Sequence, residues 1–124
     1  MKLWFDGSAR PNPGAVVTAV VVHGQTHIRN DWEAGDNNDA EWRALLHALS
    51  IARQLGLREA TLLGDSALVI SQASGTAPCR DERFRHYLAA YNEAAAHLGK
   101  IRIRRIARAQ NLAGIALERL HGRL

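Results

Sequence analysis

Apolar and polar positions along the chain first change period after Trp32. Up to Trp32 the pattern is that of strands. Met1–Asp6 carries the run Leu3-Trp4-Phe5, ends in an aspartate, and is followed by the turn RPNPG. Ala15–His23, "AVVTAVVVH", is a continuous β-branched run, which suits a strand buried on both faces. Gly24-Gln25 reads as a short hairpin connection. Thr26–Trp32 then alternates, with Thr26, Ile28, Asn30 and Trp32 on one face and His27, Arg29 and Asp31 on the other. From Asp39 the period becomes helical: Trp42, Leu45, Leu46 and Leu49 predict an amphipathic helix to about Leu55, stopped by Gly56. "EATLLGD" predicts a fourth strand and "SALVISQAS" a short helix. Asp81–Leu98 is a long Ala-rich helix closed by Gly99. "KIRIRRI" sets Ile101 and Ile103 against Arg102 and Arg104, a strand with one wet face, and Asn111–Leu120 is a last helix. The order βββαβααβα predicts an α/β fold with a five-stranded mixed sheet, three strands antiparallel then two parallel, and helices on both faces. The fourth strand follows a helical crossover, so it is expected to lie parallel to the first.

Composition narrows the class. The 124 residues are expected to form a single domain over 1–124, and 47% hydrophobic content excludes disorder. No apolar run approaches the roughly 18 residues of a membrane span, so no membrane partner is expected. "MKLWFDG" carries no signal-peptide pattern. The single Cys79 excludes an internal disulfide framework and suits a reducing, cytoplasmic setting. Net charge is +4, and of the sixteen basic residues only Lys2 and Lys100 are lysines. Arginine's fork suits phosphate, so the balance points to a polyanionic partner. No obligate protein partner is evident.

Three acids draw attention, and each has a local explanation. Asp6-Gly7 is turn chemistry; Asn38 and Glu41 have the spacing of a capping box; Asp65 stands where an N-cap would. Together they read differently. With the fourth strand parallel to the first, Asp6 and Asp65 emerge side by side at the carboxyl edge of the sheet, where α/β ligand sites favour. The first turn of the Glu41 helix can close over the same edge. Converging carboxylates repel and call for a cation. Mg²⁺ is hard, oxygen-seeking and keeps water positions open. On a basic protein this set suggests phosphodiester hydrolysis, one ion activating water and another steadying the leaving oxygen.

At these residues the chain resembles a type 1 ribonuclease H of the compact kind. The matching pieces are "FDGSARPNPG", "NNDAEWRALLHAL", "GDSALVISQASG", "RFRHYLAAYNEAA" and "RIARAQN", in the family's order over nearly the whole chain. The resemblance implies an endonuclease that cuts the RNA strand of RNA–DNA hybrids with two Mg²⁺ (or Mn²⁺) ions, leaving a 3′-hydroxyl and a 5′-phosphate. Carried across, Asp6 bridges both ions, and Glu41 and Asp65 hold the one on the leaving-group side. Asn12, Asn37 and Asn38 contact the hybrid, including 2′-hydroxyls, or serve as turn and cap residues. Ser66 follows the second aspartate, as the family expects.

The pattern also breaks. Arg108-Ala109-Gln110-Asn111 matches the family's R-x-x-N signature, but the fourth carboxylate expected four residues on is Ile115, or Gly114 if the register slides by one. Glu118, one turn further, could reach back across Gly114 to serve as a metal ligand, or it is a solvated helix residue. No histidine falls in the loop before the last helix, where many members carry one; Arg108 could contact phosphate instead. Asp36 and Asp39 stand where some members have a DNA-phosphate pocket. Arg80, Arg83 and Arg85 either supply basic-protrusion charge or pair with Asp81 and Glu82. Arg102, Arg104 and Arg105 form a positive sheet face or only a solvated one. The alternative function is a catalytically weakened module of the same fold that binds hybrid or double-stranded RNA.

Overall fold

The computed structural model describes residues 1–122. Its elements run β1 (Lys2–Arg10), β2 (Ala15–Val22), β3 (Gln25–Arg29), α1 (Asn37–Gln54), β4 (Glu59–Gly64), α2 (Ala67–Ala73), α3 (Glu82–Ala96), β5 (Lys100–Arg105), a 3₁₀ turn (Arg108–Gln110) and α4 (Leu112–Leu120). The five strands form one sheet in the order β3-β2-β1-β4-β5. β1, β2 and β3 pair antiparallel, while β4 joins β1 and β5 joins β4 in parallel. This is the mixed sheet that the order of periodicities predicts.

The sheet is covered unequally on its two faces. On one, Leu3, Phe5, Val20, Val22, Ala60 and Leu62 pack against Trp42, Leu45 and Leu49 of α1, Val69 of α2, and Phe84 and Tyr91 of α3. On the other, Ala19, Val21 and the partly buried Trp4 meet Ala113 and Leu117 of α4. β2 therefore has helices on both sides, which is the physical reason for its unbroken apolar run. Among the described residues α4 packs chiefly on β1 and β2. On the β4–β5 half of its face Arg102 and Arg104 stand exposed. Among the described residues no helix is long and apolar enough to cross a membrane.

A buried polar chain ties α1 to the meander. Trp32 Nε1 donates to Thr18 Oγ1 at 3.0 Å, which leaves the hydroxyl proton for Nδ1 of His47 at 2.8 Å. Burial, with Arg29 nearby, pushes the His47 imidazole down to about 4, so it stays neutral at pH 7.

Several boundaries differ from those the pattern predicts. β1 does not end at Asp6; β2 continues to pair with it out to Arg10↔Ala15, so the strand runs through Gly7, Ser8 and Ala9. The β2–β3 hairpin turns on His23 (φ 55°) and Gly24 (φ 72°), with Gln25 already paired to Val22. β3 stops at Arg29, leaving Asn30–Trp32 outside the strand. α1 begins two residues before Asp39, because its cap is Asp36.

Candidate active site

The parallel register places the first two acids. Trp4 is opposite Leu63 in the β1–β4 ladder; two residues on, at the point where β4 leaves the sheet, the same register sets Asp6 beside Asp65. Glu41 arrives from α1. Its Oε1 accepts the Gly7 N–H at 3.1 Å, so β1 and α1 are locked together between the two ligand positions. One oxygen from each of Asp6, Glu41 and Asp65 lies within 4.8 Å of the others.

The local explanations for these acids fail in the structure. The capping box at the start of α1 is made by Asp36 and Asp39, each accepting the other's backbone N–H at 2.9 Å, not by Asn38 and Glu41. The N-cap of α2 is Ser66, whose Oγ accepts from Val69 N at 3.3 Å, not Asp65. Glu41 and Asp65 are thereby free of capping duty.

The cluster is electrostatically uncomfortable on its own. Burial, then the charge of Asp65, pushes the Asp6 carboxyl up to about 6. Burial, then Asp6 and Asp65, pushes Glu41 well above the ordinary carboxylate range, and the Asp6 and Glu41 carboxyls sit close enough to share a proton. Three hard oxygen donors with this unrelieved repulsion fit a hard divalent cation that keeps part of its water shell.

Asn111 organises the site from behind. It is fully buried. Its Nδ2 donates both to Phe5 O at 3.0 Å and to Asp65 Oδ2 at 2.9 Å, while its Oδ1 accepts from Ala113 N at 3.1 Å and caps α4. One amide thus satisfies β1, aims Asp65 and starts the last helix. The R-x-x-N motif held the signal for this, but its asparagine carries no sign of a partner 106 residues away. Replacing Asn111 with alanine is expected to cost about 2–4 kcal/mol, the sum of a lost cap and an unsatisfied buried carbonyl. A urea midpoint within error of the wild type would contradict this role.

The remaining predicted residues divide. A cleft of about 310 Å³ beside Asp6 and Glu41 is lined by Asn37, Arg108, Gly114, Glu118 and His121 among others. Asn37 Oδ1 accepts from Ala9 N and Asn12 Oδ1 accepts from Asn37 N, both at 3.0 Å, so the two asparagines knit the 11–14 turn to β1 and α1. Asn38 is exposed, and Ser66 is occupied as a cap. Gly114, rather than Ile115, faces Asp6: a Cβ there would lie 3.3 Å from Asp6 Oδ2, whereas Ile115 is 36% exposed. Glu118 lines the cleft but is not among the three clustered acids.

Asp36 and Asp39 are no phosphate pocket. Arg83 Nη1 bonds both, at 3.0 and 3.2 Å, and Tyr87 donates to Asp39 Oδ1 at 2.9 Å. Arg83 is therefore committed to α1 as well as to Asp81. His121 was missed by sequence reasoning. It comes from the far end of α4 and shares a 2.9 Å hydrogen bond with Ser8 Oγ. Burial, with Arg10 nearby, lowers its pKa. Gly114, Glu118 and His121 recur at i, i+4 and i+7, a helical stripe that could have revealed it.

Comparison with known proteins gives this arrangement its class. The reverse transcriptase-like family model matches residues 6–119. Over 89 residues the chain is 40% identical to ribonuclease HI of Halobacterium salinarum, covering 66% of this chain and 44% of that protein. It is 40% identical over 76 residues to the bifunctional protein Rv2228c of Mycobacterium tuberculosis, covering 56% of this chain and 21% of that one. The matched part thus spans under half the length of these curated relatives. The crystal structure of RNase H1 from H. salinarum agrees with a TM-score of 0.84 at 30% identity, covering 97% of this chain and 96% of that one. The N-terminal RNase H domain of Rv2228c agrees with a TM-score of 0.82 at 26% identity, covering 98% and 97%. The chain belongs to the reverse transcriptase-like family, on its type 1 ribonuclease H branch.

Proposed function

We propose that the protein is a ribonuclease H that hydrolyses the RNA strand of RNA–DNA hybrids, leaving a 3′-hydroxyl and a 5′-phosphate. Asp6, Glu41 and Asp65 hold Mg²⁺ or Mn²⁺, two ions in the substrate complex. The observation that carries this reading is the convergence of these three carboxylates within 4.8 Å at the carboxyl edge of the sheet. When bound, the ions supply Lewis-acid polarisation of the scissile phosphate and a nucleophile at neutral pH. The chain's own groups bind and orient. Asn111 keeps Asp65 aimed. Arg108 borders the cleft and supports the bound phosphate. Asn37 uses its carbonyl on Ala9 N–H, which leaves its amide donors for a 2′-hydroxyl, the group that tells RNA from DNA. The test incubates labelled hybrid with Mg²⁺ and then Mn²⁺, beside an Asp65→Asn variant. RNA-strand cleavage abolished by the substitution is the expected result; hybrid retarded on a gel but left intact in both ions would sink the enzyme reading.

Glu118 serves the side of Asp6 that Gly114 leaves bare, one helical turn away. Glu118→Gln is expected to lower the cleavage rate about 10- to 100-fold, as loss of an outer support of a metal site does. An unchanged rate would remove Glu118 from the site.

Metal binding should also register in stability. The folded pKa of Asp6, about 6, lies above its unfolded value. Its contribution is therefore fully present below the unfolded pKa and is lost as pH rises from about 4 through 6, a loss of about 3 kcal/mol at most. A cation that neutralises the cluster restores it. The rise in melting temperature produced by Mg²⁺ is expected to be larger at pH 7 than at pH 5; an equal rise at both would contradict the assignment.

A further inference from the structure

We propose that the helix-free half of the sheet is a second nucleic-acid contact, in which Arg102 and Arg104 of β5 grip the phosphate backbone of a hybrid that continues past the scissile position. The inference rests on the hybrid-cleaving reading above. Strand alternation sets the face: Ile101 and Ile103 pack into the main core, so Arg102 and Arg104 point the other way, to the face that α4 shares. Parallel pairing then aligns rows across the sheet. Thr61 is opposite both Lys2 and Arg102, and Leu63 is opposite both Trp4 and Arg104. The next row in the same register is Asp6 and Asp65. The arginines thus lie on the same face as the carboxylates, one and two rows behind them.

Three further observations support occupancy by a polyanion. Among the described residues the ion pairs are made by Arg29 and Arg83, and neither Arg102 nor Arg104 has a carboxylate partner. Both are exposed, to the side of the β1 and β2 strands on which α4 chiefly packs. The tract is flanked by hollows: a cavity of about 440 Å³ at its site end is lined by Asp65, Arg105 and Arg108, and one of about 230 Å³ at its other end by Thr61, Lys100 and Arg102. Glu59, paired in register with Lys100, closes the tract at its far end, so the grip falls on the two arginines. Side chains two apart on a strand are separated by about 6.6 Å, close to two charge steps of about 3.4 Å along one strand of a duplex.

The test measures hybrid affinity against salt concentration for the wild type, Arg102→Ala, Arg104→Ala and the double variant. Arg53→Ala, at the far end of α1, is the charge-matched control. Each β5 substitution is expected to lower the slope of log affinity against log salt by about 1, and the pair by about 2, with affinity falling about 10- to 100-fold at 0.1 M salt. Arg102→Lys with Arg104→Lys keeps the slope. Slopes equal to wild type, or a loss matched by Arg53→Ala, would overturn the contact while leaving the cleavage reading intact. A wild-type protein that neither binds nor cuts hybrid would overturn both.

Discussion

Asp6→Asn is expected to abolish hybrid cleavage while making the metal-free protein more stable. The two effects have one cause. Asp6 is pressed by burial and then by the charge of Asp65, which is why its carboxyl is pushed up to about 6. At pH 7 the metal-free fold therefore holds a charge it would rather lose. Asparagine removes that charge in nearly the same volume and offers an amide donor to its acidic neighbours. The melting temperature of the variant should rise by several degrees at pH 7. The gain should shrink to about half at pH 5 and vanish below about pH 4, where Asp6 is protonated in the folded and the unfolded chain alike. The same change removes a ligand oxygen from the cluster. Activity is expected to fall at least about 10³-fold, ~4 kcal/mol of transition-state stabilisation, and the stabilisation by Mg²⁺ to disappear. A variant that cuts hybrid at a tenth of the wild-type rate, or melts lower than wild type at pH 7, would contradict the account.

Gly7→Ala is the second large effect, and it acts through the backbone. A Cβ at position 7 would sit 2.1 Å from the carbonyl oxygen of Ala40 and 2.5 Å from its carbon. Both atoms belong to the first turns of α1, so no side chain can rotate aside. β1 and α1 must separate, at a cost of about 3 kcal/mol or more. That separation also breaks the Gly7 N–H bond to Glu41 Oε1, and with it the fixed distance between Asp6 and Glu41. Urea unfolding should show the lower stability, and the Mg²⁺-dependent rise in melting temperature should shrink in parallel. A Gly7→Ala protein within about 0.5 kcal/mol of wild type would show that the close approach is not required.

Much of this was legible in the chain because it is local or periodic. The unbroken apolar run of β2, the i, i+3, i+4, i+7 stripe of Trp42, Leu45, Leu46 and Leu49, and the Ile/Arg alternation of β5 each report the surface an element must bury, and burial is decided by spacing alone. The three acids were legible for a related reason: Asp65 directly follows β4, Glu41 lies near the start of α1, and the parallel β1–β4 register brings Asp6 to the same row as Asp65.

What spacing could not decide is which of several neighbouring polar groups takes a given partner. Asp36, Asn38, Asp39 and Glu41 all lie within reach of one helix start. The entry direction of the chain, pinned by the Gly14–Gly35 bridge, gives the cap to Asp36 and leaves Glu41 for Gly7 and the acid cluster. Arg83 joins Asp36 and Asp39 only because α3 packs on α1. His121 enters the cleft only because α4 lies along β1. Asn111 binds Phe5 and Asp65 across chain separations of 106 and 46 residues. Sequence alone determined the sheet, its order and the identity of the acids, since hydrophobic burial depends on pattern. Tertiary structure decided what each polar group is bonded to, since hydrogen bonds and charges depend on distances that only the folded chain sets.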